Sequence, residues 1–286
     1  MTGIVVIDKP ADWTSFDVVA KLRRALHERR IGHGGTLDPM ATGVLPVFVG
    51  RATRAVEFME SADKEYLAGV RFGFTTDTQD TTGTILTESG IRPTQAQIEA
   101  ALQTFLGEQA QLPPLYSAIK VDGKKLYEYA RAGKDVERKA RQITISEIVP
   151  LGFGEDGEYR FRLTCSKGTY VRTICHDLGE KLGCGGAMSS LRRLRAGAFR
   201  IEEAVTLEEM LADGGAEKVL PLDSLFREYP ALTVDEAQNR RVRCGNTIRM
   251  DAADGTYRLY DAGGEFLALA AAKDGTMTTI KNFFEV

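Results

Sequence analysis

The sequence predicts an α+β fold, and two observations along the chain lead to this class. Strand and helix patterns alternate irregularly, without the repeated βαβ order of a doubly wound sheet. Beyond about residue 230, “GNTIRM”, “GTYRLYD”, “EFLALAAA” and “MTTIKNFF” are short strand patterns at regular turn spacing. That spacing is typical of a small β-barrel. We therefore expect a larger α+β region followed by a small all-β region.

The N-terminal segment predicts a strand followed by a helix. “GIVVIDKP” is an apolar strand pattern that ends at Pro10. Thr14 and Asp17 then have capping-box spacing, which marks the start of a helix. The following apolar residues lie on one side of that helix: Val18, Val19, Leu22 and Leu26. Next along the chain, “VLPVFVG” and “EYLAGVRFG” are predicted as strands.

The middle of the chain predicts two further helices and a half-buried strand. In “RPTQAQIEAALQTFLG”, Thr94 and Gln97 form a second capping-box pattern, and Gly107 is expected to end the helix. “EYRFRLTCS” alternates apolar and polar residues, as a strand with one buried face does. “TYVRTICHDLGEKLG” has apolar residues at helical spacing and Gly183 as its stop signal. A turn-rich stretch between about 212 and 232 predicts a domain boundary.

The composition indicates the cellular compartment of the protein and whether a metal site is expected. No apolar run is long enough to span a bilayer and no signal-peptide pattern is present, so we expect a cytoplasmic protein with no membrane partner. The four cysteines have no C-x-x-C spacing and there are only three histidines. This pattern indicates reduced thiols and no metal site.

The net charge of −3 conceals segregated basic stretches. Residues 21–33 carry five Lys/Arg against one Glu, and residues 120–142 carry eight Lys/Arg against four acids. “LRRLR” at 191–195 adds three arginines, whereas 201–217 is strongly acidic. Local basic stretches on an acidic protein are typical of a polyanion site, although each one singly is also typical of a solvated helix face.

The stretch “GHGGTLDPMATG” at 32–43 surrounds one carboxylate, Asp38, with glycine and proline. Asp before Pro is common in plain turns, so a turn is one interpretation of this stretch. Nucleotide-cradling glycine motifs are missing from the sequence, and no further acids flank Asp38 closely enough to hold Mg²⁺. A carboxylate that works without a metal must act as a nucleophile or a general base.

Five segments in order narrow these alternatives: “DKPADWTS”, “GHGGTLDPMATGVLPV”, “KEYLAGVRFG”, “LPPLYSAIKVDGKKLYEYARAG” and “CSKGTYVRTICHDLGEKLGCG”. Together they resemble the TruB-type tRNA pseudouridine synthases, which modify uridine 55 in the T arm of tRNA. The resemblance spans about residues 3–200, with a weaker one to the family's PUA-like domain after about 230. It implies a pseudouridine-synthase-type fold: a mixed, largely antiparallel sheet with flanking helices, plus a small C-terminal PUA-like β-barrel. The implied domains are 1–228, catalytic, and 229–286, RNA-binding.

The resemblance also implies functional residues. Asp38 occupies the place of the catalytic aspartate, Tyr66 that of a tyrosine that stacks on the target base, and Arg172 that of an arginine paired with the aspartate. His33 matches a histidine that contacts the extruded strand. The implied site-lining residues are Tyr170, Lys9, Pro10 and Leu191. One departure from the family pattern is Asp12, where a glycine is common.

The basic stretch 120–142 corresponds to an RNA-gripping insertion of the family. Within it, the expected phosphate contacts are Lys124, Lys125, Arg131, Lys139 and Arg141. Tyr127 and Tyr129 are expected either to take part in this surface or to pack the segment against the sheet. The implied partner is tRNA, through its T-arm stem-loop, with no obligate protein partner.

The chemistry implied by the resemblance needs no cofactor, because pseudouridine formation exchanges no electrons. The target base must leave its stack, and contacts to the RNA must offset the free-energy cost of that step. Asp38 would attack the base, attack the sugar, or remove a sugar proton, and Arg172 would favour its ionised form. The glycines would let the backbone approach the flipped nucleotide. The alternatives are a noncatalytic tRNA-binding protein that remodels tRNA and a synthase for another RNA site.

Overall fold

Residues 1–134, 136–212 and 215–284 are described by the structure, a computed structural model. The strands in chain order are β1 Gly3–Lys9, β2 Ile31–His33, β3 Thr42–Val49, β4 Lys64–Phe72, β5 Phe74–Thr76, β6 Ile85–Glu88, β7 Gly107–Gln111, β8 Lys120–Val121, β9 Lys124–Lys125, β10 Arg141–Phe153, β11 Tyr159–Cys165, β12 Gly186–Ala196, β13 Phe199–Arg200, β14 Val205–Thr206, β15 Ala231–Thr233, β16 Ile248–Arg249, β17 Gly255–Tyr260, β18 Phe266–Lys273 and β19 Thr276–Asn282.

The helices are α1 Ser15–Ala25, α2 Val56–Glu60, α3 Gln95–Gln103, α4 Leu126–Arg131, α5 Val171–Lys181, α6 Leu207–Leu211 and α7 Glu236–Arg243. Short 3₁₀ segments lie at Gly50–Ala55, Ile201–Glu203, Gly215–Lys218 and Leu222–Phe226. In the part of the chain that the structure describes, no helix has the length and apolarity required to cross a membrane.

The chain forms two compact units. The first unit contains Met1–Leu37, Val44–Glu60 and the described residues from Ala198 onward, and the second contains Asp38–Gly43 and Ser61–Gly197. The chain therefore passes between units within β3, directly after the Asp38 segment.

The first unit holds two sheets with separate apolar clusters. In one sheet β1 lies between β14 and β3, and β2 pairs antiparallel with β3. Val5, Ile7, Val18 and Leu22 join β1 to the amphipathic helix α1 in its core. The other sheet has the order β15-β17-β18-β19-β16 and buries its own cluster, which includes Leu259 and Leu267. This sheet occupies the region in which the sequence predicts a small β-barrel.

The second unit is built on an antiparallel sheet in the order β12-β4-β11-β10-β7. Strand β11 has the expected alternation, with Tyr159, Phe161 and Leu163 fully buried. Helix α5 approaches β12 so closely that a Cβ on Gly179 would lie 2.1 Å from the backbone nitrogen of Gly186. Glycine at 179 therefore seats α5 on the sheet. The fold class predicted from the sequence is confirmed, because helices accompany sheets in which most strand pairs are antiparallel and a few, such as β1 with β14, are parallel.

Several local predictions are confirmed and one helix end is corrected. Thr14 with Asp17 and Thr94 with Gln97 form complete capping boxes. Gly183 follows α5 with a φ of +70°. Helix α3 ends at Gln103 rather than near Gly107, which instead begins β7. The reason is that the chain must turn from the helix to the sheet edge before the strand starts.

Candidate active site

Asp38 lies in a tight turn that begins the second unit. The Ala41 N–H donates to the Asp38 carbonyl at 3.0 Å. Gly43 follows this turn in β3; its φ is +99°, and an added Cβ would lie 2.2 Å from the carbonyl oxygen of Arg193. The two interpretations of residues 32–43, a turn and a functional site at Asp38, are therefore compatible, because the Asp38 carboxylate lies on the turn.

Two of the glycines near Asp38 lie close to the protein's own atoms. A Cβ on Gly34 would lie 2.8 Å from Cγ of Met59, within the first unit. At Gly43 the close neighbour is the backbone of β12, as described above. At these two positions the close approach is to the protein's own core and backbone, so the missing side chains are explained by packing.

Arg172 forms a two-point ion pair with Asp38. Its Nε lies 2.8 Å from Oδ2 of Asp38, and its Nη2 donates to Oδ1 at 3.3 Å. The arginine side chain is 6% exposed and the aspartate side chain is 37% exposed. Parallel contacts of this kind fix orientation as well as charge. The buried guanidinium therefore orients a carboxylate that keeps one side open to a reactant.

Two backbone carbonyls and a second acid complete the surroundings of Arg172. Nη1 donates to the Thr78 carbonyl and Nη2 to the Tyr116 carbonyl, both at 2.9 Å. Oδ2 of Asp80 lies 3.8 Å from Nη1. A buried guanidinium must have its donors satisfied, and these groups provide that satisfaction.

Asp80 is a site residue that the sequence reasoning missed. Its Oδ1 accepts bonds from the Thr78 hydroxyl, the Thr82 hydroxyl and the Thr82 N–H, at 2.8, 2.6 and 3.0 Å. These bonds leave Oδ2 directed at Arg172. The threonine- and aspartate-rich run “TTDTQDTTGT” was a signal for a structured polar loop, but nothing in it names Arg172 as its target.

Tyr66 lies on β4 in the same unit as Asp38 and Arg172. It is 8% exposed and pairs in register with Arg193 on β12. Burial raises the pKa of the Tyr66 phenol. The positive charge of Arg193 lowers this pKa, and the negative charge of the Asp38 carboxylate raises it further. Leu191, also 8% exposed, pairs with Ala68. Because alternate residues share a strand face, Leu191 lies on the same face as Tyr66.

Tyr170 immediately precedes α5 and is held through its backbone. Its N–H donates to Oε1 of Gln111 at 2.8 Å, and Nε2 of Gln111 donates to its carbonyl at 3.0 Å. Burial raises the pKa of Tyr170, and Arg172 and Asp38 contribute to its electrostatic surroundings with opposite signs. Tyr170 therefore belongs to the same neighbourhood of the second unit.

The other two expected lining residues, Lys9 and Pro10, belong to the first unit, and so does His33, the expected contact of the extruded strand. Lys9 is fully buried, and its ammonium donates to the carbonyls of Pro10 and Trp13 at 2.8 and 2.6 Å. These bonds close the loop between β1 and α1. His33 lies on β2, where it pairs in register with Val47.

Asp12, the departure from the family pattern, has a φ of +64°. Glycine adopts this left-handed conformation without strain, and aspartate is among the few other residues that tolerate it. Asp12 therefore adopts a backbone conformation that a glycine at this position would also adopt without strain.

The expected RNA-gripping residues are exposed or partly exposed. Lys124, Arg131, Lys139 and Arg141 are exposed, and Lys125 is partly buried. The Tyr127 ring lies beneath two cations, Lys125 Nζ and Arg131 Cζ, each 5.4 Å from its centroid.

Tyr129 and the “LRRLR” stretch do not contribute simply as an exposed basic surface. The Tyr129 hydroxyl donates to the Val121 carbonyl at 3.2 Å, so Tyr129 packs the segment on itself. The “LRRLR” stretch is not a uniform basic surface, because Arg193 is 1% exposed and Arg195 pairs with Glu65 at 3.5 Å.

The site can perform acid–base or nucleophilic chemistry with one oriented carboxylate. Among residues 1–134, 136–212 and 215–284, no group of three or more His, Cys, Asp or Glu side chains could hold a metal ion. The groups that interact with the Asp38 carboxylate include the buried guanidinium of Arg172 and, electrostatically, the phenols of Tyr66 and Tyr170.

Family comparison identifies the class of protein. Residues 23–171 match the model for the N-terminal domain of TruB family pseudouridylate synthases, and residues 172–227 match the tRNA pseudouridylate synthase B C-terminal domain. The chain belongs to the TruB family of pseudouridylate synthases. It is therefore an isomerase, and the resemblance found in the five sequence segments is confirmed.

Curated relatives match nearly the whole chain. A tRNA pseudouridine synthase B of Clostridium kluyveri is 40% identical, covering 99% of this chain and 100% of that protein. The protein of the same name from Syntrophomonas wolfei is 43% identical, covering 98% and 96%. That of Bacillus anthracis is 45% identical, covering 87% and 85%.

Solved structures support the fold. The chain resembles a chain in the crystal structure of a Cbf5-Nop10-Gar1 complex, with a TM-score of 0.74 and 26% identity, covering 99% of this chain and 85% of that one. A chain of an H/ACA RNP bound to a substrate RNA gives a TM-score of 0.73 at 24% identity, with the same coverage.

Proposed function

We propose that this chain isomerises uridine 55 in the T arm of tRNA to pseudouridine, with Asp38 as the catalytic aspartate and with no cofactor. The observation that carries the proposal is the two-point contact of Asp38 with the buried Arg172. The choice of tRNA is supported by three relatives of at least 40% identity that are named tRNA pseudouridine synthase B. The same relatives, together with four cysteines that are all free, support a cytoplasmic enzyme.

The reaction breaks the N-glycosidic bond, rotates the uracil in place and joins carbon to the sugar instead of nitrogen. Asp38 either attacks the base or the sugar, or removes a sugar proton so that the base leaves. In each route the carboxylate must be ionised, oriented and open on one side. Arg172 supplies the orientation, and the 37% exposure of the Asp38 side chain leaves the open side.

Tyr66 and Leu191 would contact the flipped uracil from one face of the sheet. The phenol ring supplies a stacking surface, and burial keeps its hydroxyl protonated through a raised pKa. A protonated phenol can donate a hydrogen bond to the base as it detaches. Flipping the nucleotide costs a few kcal/mol, roughly, which the remaining RNA contacts must offset.

Those remaining contacts would come from the exposed basic residues of the segment 120–142 and from residues 229–286 as a PUA-like RNA-binding module. Lys124, Arg131, Lys139 and Arg141 present positive charge to solvent. Phosphate contacts of this kind position the RNA without selecting the base. From the family resemblance we also propose site-lining roles for Tyr170, Lys9 and Pro10, and a contact with the extruded strand for His33.

The direct experiment incubates the purified chain with a T-arm stem-loop and maps pseudouridine chemically along it. We expect modification of the uridine equivalent to position 55 alone. A stem-loop with cytidine at that position is the matched control and should remain unmodified. Pseudouridine at a different position, or in neither RNA although the protein is folded and binds them, would contradict the proposal.

A further inference from the structure

The loop between β5 and β6 contains a backbone strain directly beside Arg172. Gln79 has a φ of +64°, in the left-handed region that glutamine rarely occupies. Residues held in such conformations persist only when their surroundings fix them, and they cluster at functional sites. The observed strain is a reason to ask what Gln79 holds in place.

The backbone of Gln79 is fixed on both sides. Its N–H donates to the Thr76 carbonyl at 3.2 Å, and its own carbonyl accepts from the Met188 N–H at 3.0 Å. The Thr81 N–H then donates to the Met188 carbonyl at 2.9 Å. The loop is thereby clamped onto β12 at Met188.

The side chain of Gln79 joins the loop to helix α5. The Thr173 hydroxyl donates to Oε1 of Gln79 at 2.8 Å, and Thr173 is 2% exposed. Thr173 directly follows Arg172 in the first turn of the helix. The hydrogen bond from the buried Thr173 therefore connects the strained residue, Gln79, to the residue next to Arg172.

Gln79 also lies between the two groups of this loop that contact Arg172. The preceding residue, Thr78, gives its carbonyl to Nη1, and the following residue, Asp80, faces the same nitrogen with Oδ2. A left-handed residue at 79 is what turns the chain so that both groups point at one guanidinium nitrogen. An extended or helical residue there would rotate one of them away.

We propose that Gln79, through its hydrogen bond with Thr173, is a positioning residue for the isomerisation. It holds the Thr78 carbonyl and the Asp80 carboxylate in contact with Arg172. Arg172 is thereby held in contact with Asp38. This inference rests on the proposed function, because the positioned pair is the proposed catalytic one. The side-chain hydrogen bond of Gln79 goes to Thr173, and its backbone bonds go to Thr76 and Met188, so Gln79 acts on the Asp38–Arg172 pair through other residues. Its effect is therefore on the chemical step rather than on RNA affinity.

The test compares two substitutions at Thr173. Thr173→Val removes the hydroxyl at nearly constant shape, and Thr173→Ser keeps it. With a T-arm stem-loop, we expect the valine variant to lose about tenfold in single-turnover rate and to keep its Kd within about twofold. The serine variant should stay within about twofold of the parent rate, because the donor to Gln79 remains.

Gln79→Asn provides the second arm, because asparagine tolerates the left-handed backbone but is too short by one methylene to reach Thr173. It should reproduce the loss seen in Thr173→Val, and the double variant should be no slower than either single variant. A merely structural role would instead lower the melting temperature of all variants while the rate per folded molecule stayed unchanged.

The outcomes separate this inference from the proposed function. A parent protein that is folded but inactive on every stem-loop overturns the proposed function and this inference with it. An active parent whose Thr173→Val and Gln79→Asn variants keep the parent rate overturns only the inference. Additive losses in the double variant, or a Kd that rises in step with the fall in rate, overturn it as well.

Discussion

The guanidinium of Arg172 contacts the carboxylate of Asp38 through two nitrogens, with Nε 2.8 Å from Oδ2 and Nη2 3.3 Å from Oδ1. The arginine is buried and the acid is only partly so. The remaining hydrogen bonds of the arginine go to backbone carbonyls, which cannot move independently of their strands and loops. The pair is therefore preorganised by the fold before any RNA binds.

Asp80→Asn should lower the single-turnover rate of pseudouridine formation by about tenfold without changing RNA affinity. Asparagine keeps the Oδ1 acceptor for Thr78 and Thr82 but removes one of the two negative charges beside Arg172. Asp77→Asn is the matched control. Asp77 accepts from the Thr84 N–H and the Tyr116 hydroxyl, and asparagine can still bond to both. Equal effects of the two substitutions would contradict a specific role for Asp80.

The basic segment 120–142 should contribute phosphate contacts that are independent of RNA sequence. Replacing Lys124, Arg131 or Arg141 singly with Ala should weaken binding to T-arm RNAs of any sequence and reduce the salt slope of log Kd by about one unit or less. Binding curves at several salt concentrations measure both quantities.

Selection of the uridine should survive these replacements, because we propose that it depends on the surroundings of Asp38 and Tyr66. Lys218→Ala, an exposed lysine outside the segment, serves as the control. Unchanged affinity and slope in all three variants would make the segment an ordinary solvated surface. A shift of modification to another uridine would show that the segment reads the site.

Most local structure in this chain could be predicted because its signals are themselves local. The capping boxes at Thr14 and Thr94 and the alternation along β11 depend on residues a few positions apart. Strand β12 was not predicted, because “LRRLR” suggests a basic surface while its register buries Arg193 beside Tyr66. That burial depends on strand pairing with β4, which no short pattern in β12 specifies.

Asp38, Tyr66 and Arg172 could be predicted as site residues from the ordered family segments, whereas Asp80 and Gln79 could not. The signals that define Asp80 and Gln79 are a hydrogen-bonded loop and a φ angle, and both arise only when β12 and α5 pack against that loop. Contacts such as Thr173 with Gln79 join residues far apart in sequence. Neither partner's identity predicts the other.

Tyr159→Phe should make the free energy of unfolding fall less steeply as the pH rises above about 10. Burial raises the pKa of Tyr159 to about 12, above the ordinary value of about 10 for the unfolded chain. Because the folded pKa is the higher one, this contribution to the free energy of unfolding is complete below about pH 10 and is lost as the pH rises through about 12.

Urea denaturation of both proteins across that range measures the difference in the free energy of unfolding. At neutral pH we expect little change, since the hydroxyl has no hydrogen-bond partner among the residues that the structure describes. A parent and a variant with identical pH dependence would contradict this expectation.

Chelation should leave activity unchanged. No metal-ligand cluster occurs in the described ranges 1–134, 136–212 and 215–284, and the isomerisation needs no electron carrier. Dialysis against EDTA, followed by assay with an RNA whose folding is checked separately, measures this. Loss of activity that a divalent ion restores without refolding the RNA would show that the metal-free mechanism is wrong.

The most direct measurement is single-turnover pseudouridine formation by Asp38→Asn and Asp38→Ala, each verified by mass spectrometry, on a T-arm stem-loop. We predict that both variants form no detectable pseudouridine. Both should bind the RNA within about tenfold of the parent, roughly 1.4 kcal/mol, because phosphate and stacking contacts dominate affinity. Measurable turnover by either verified variant, free of parent enzyme, would contradict the role of Asp38 as the essential catalytic group.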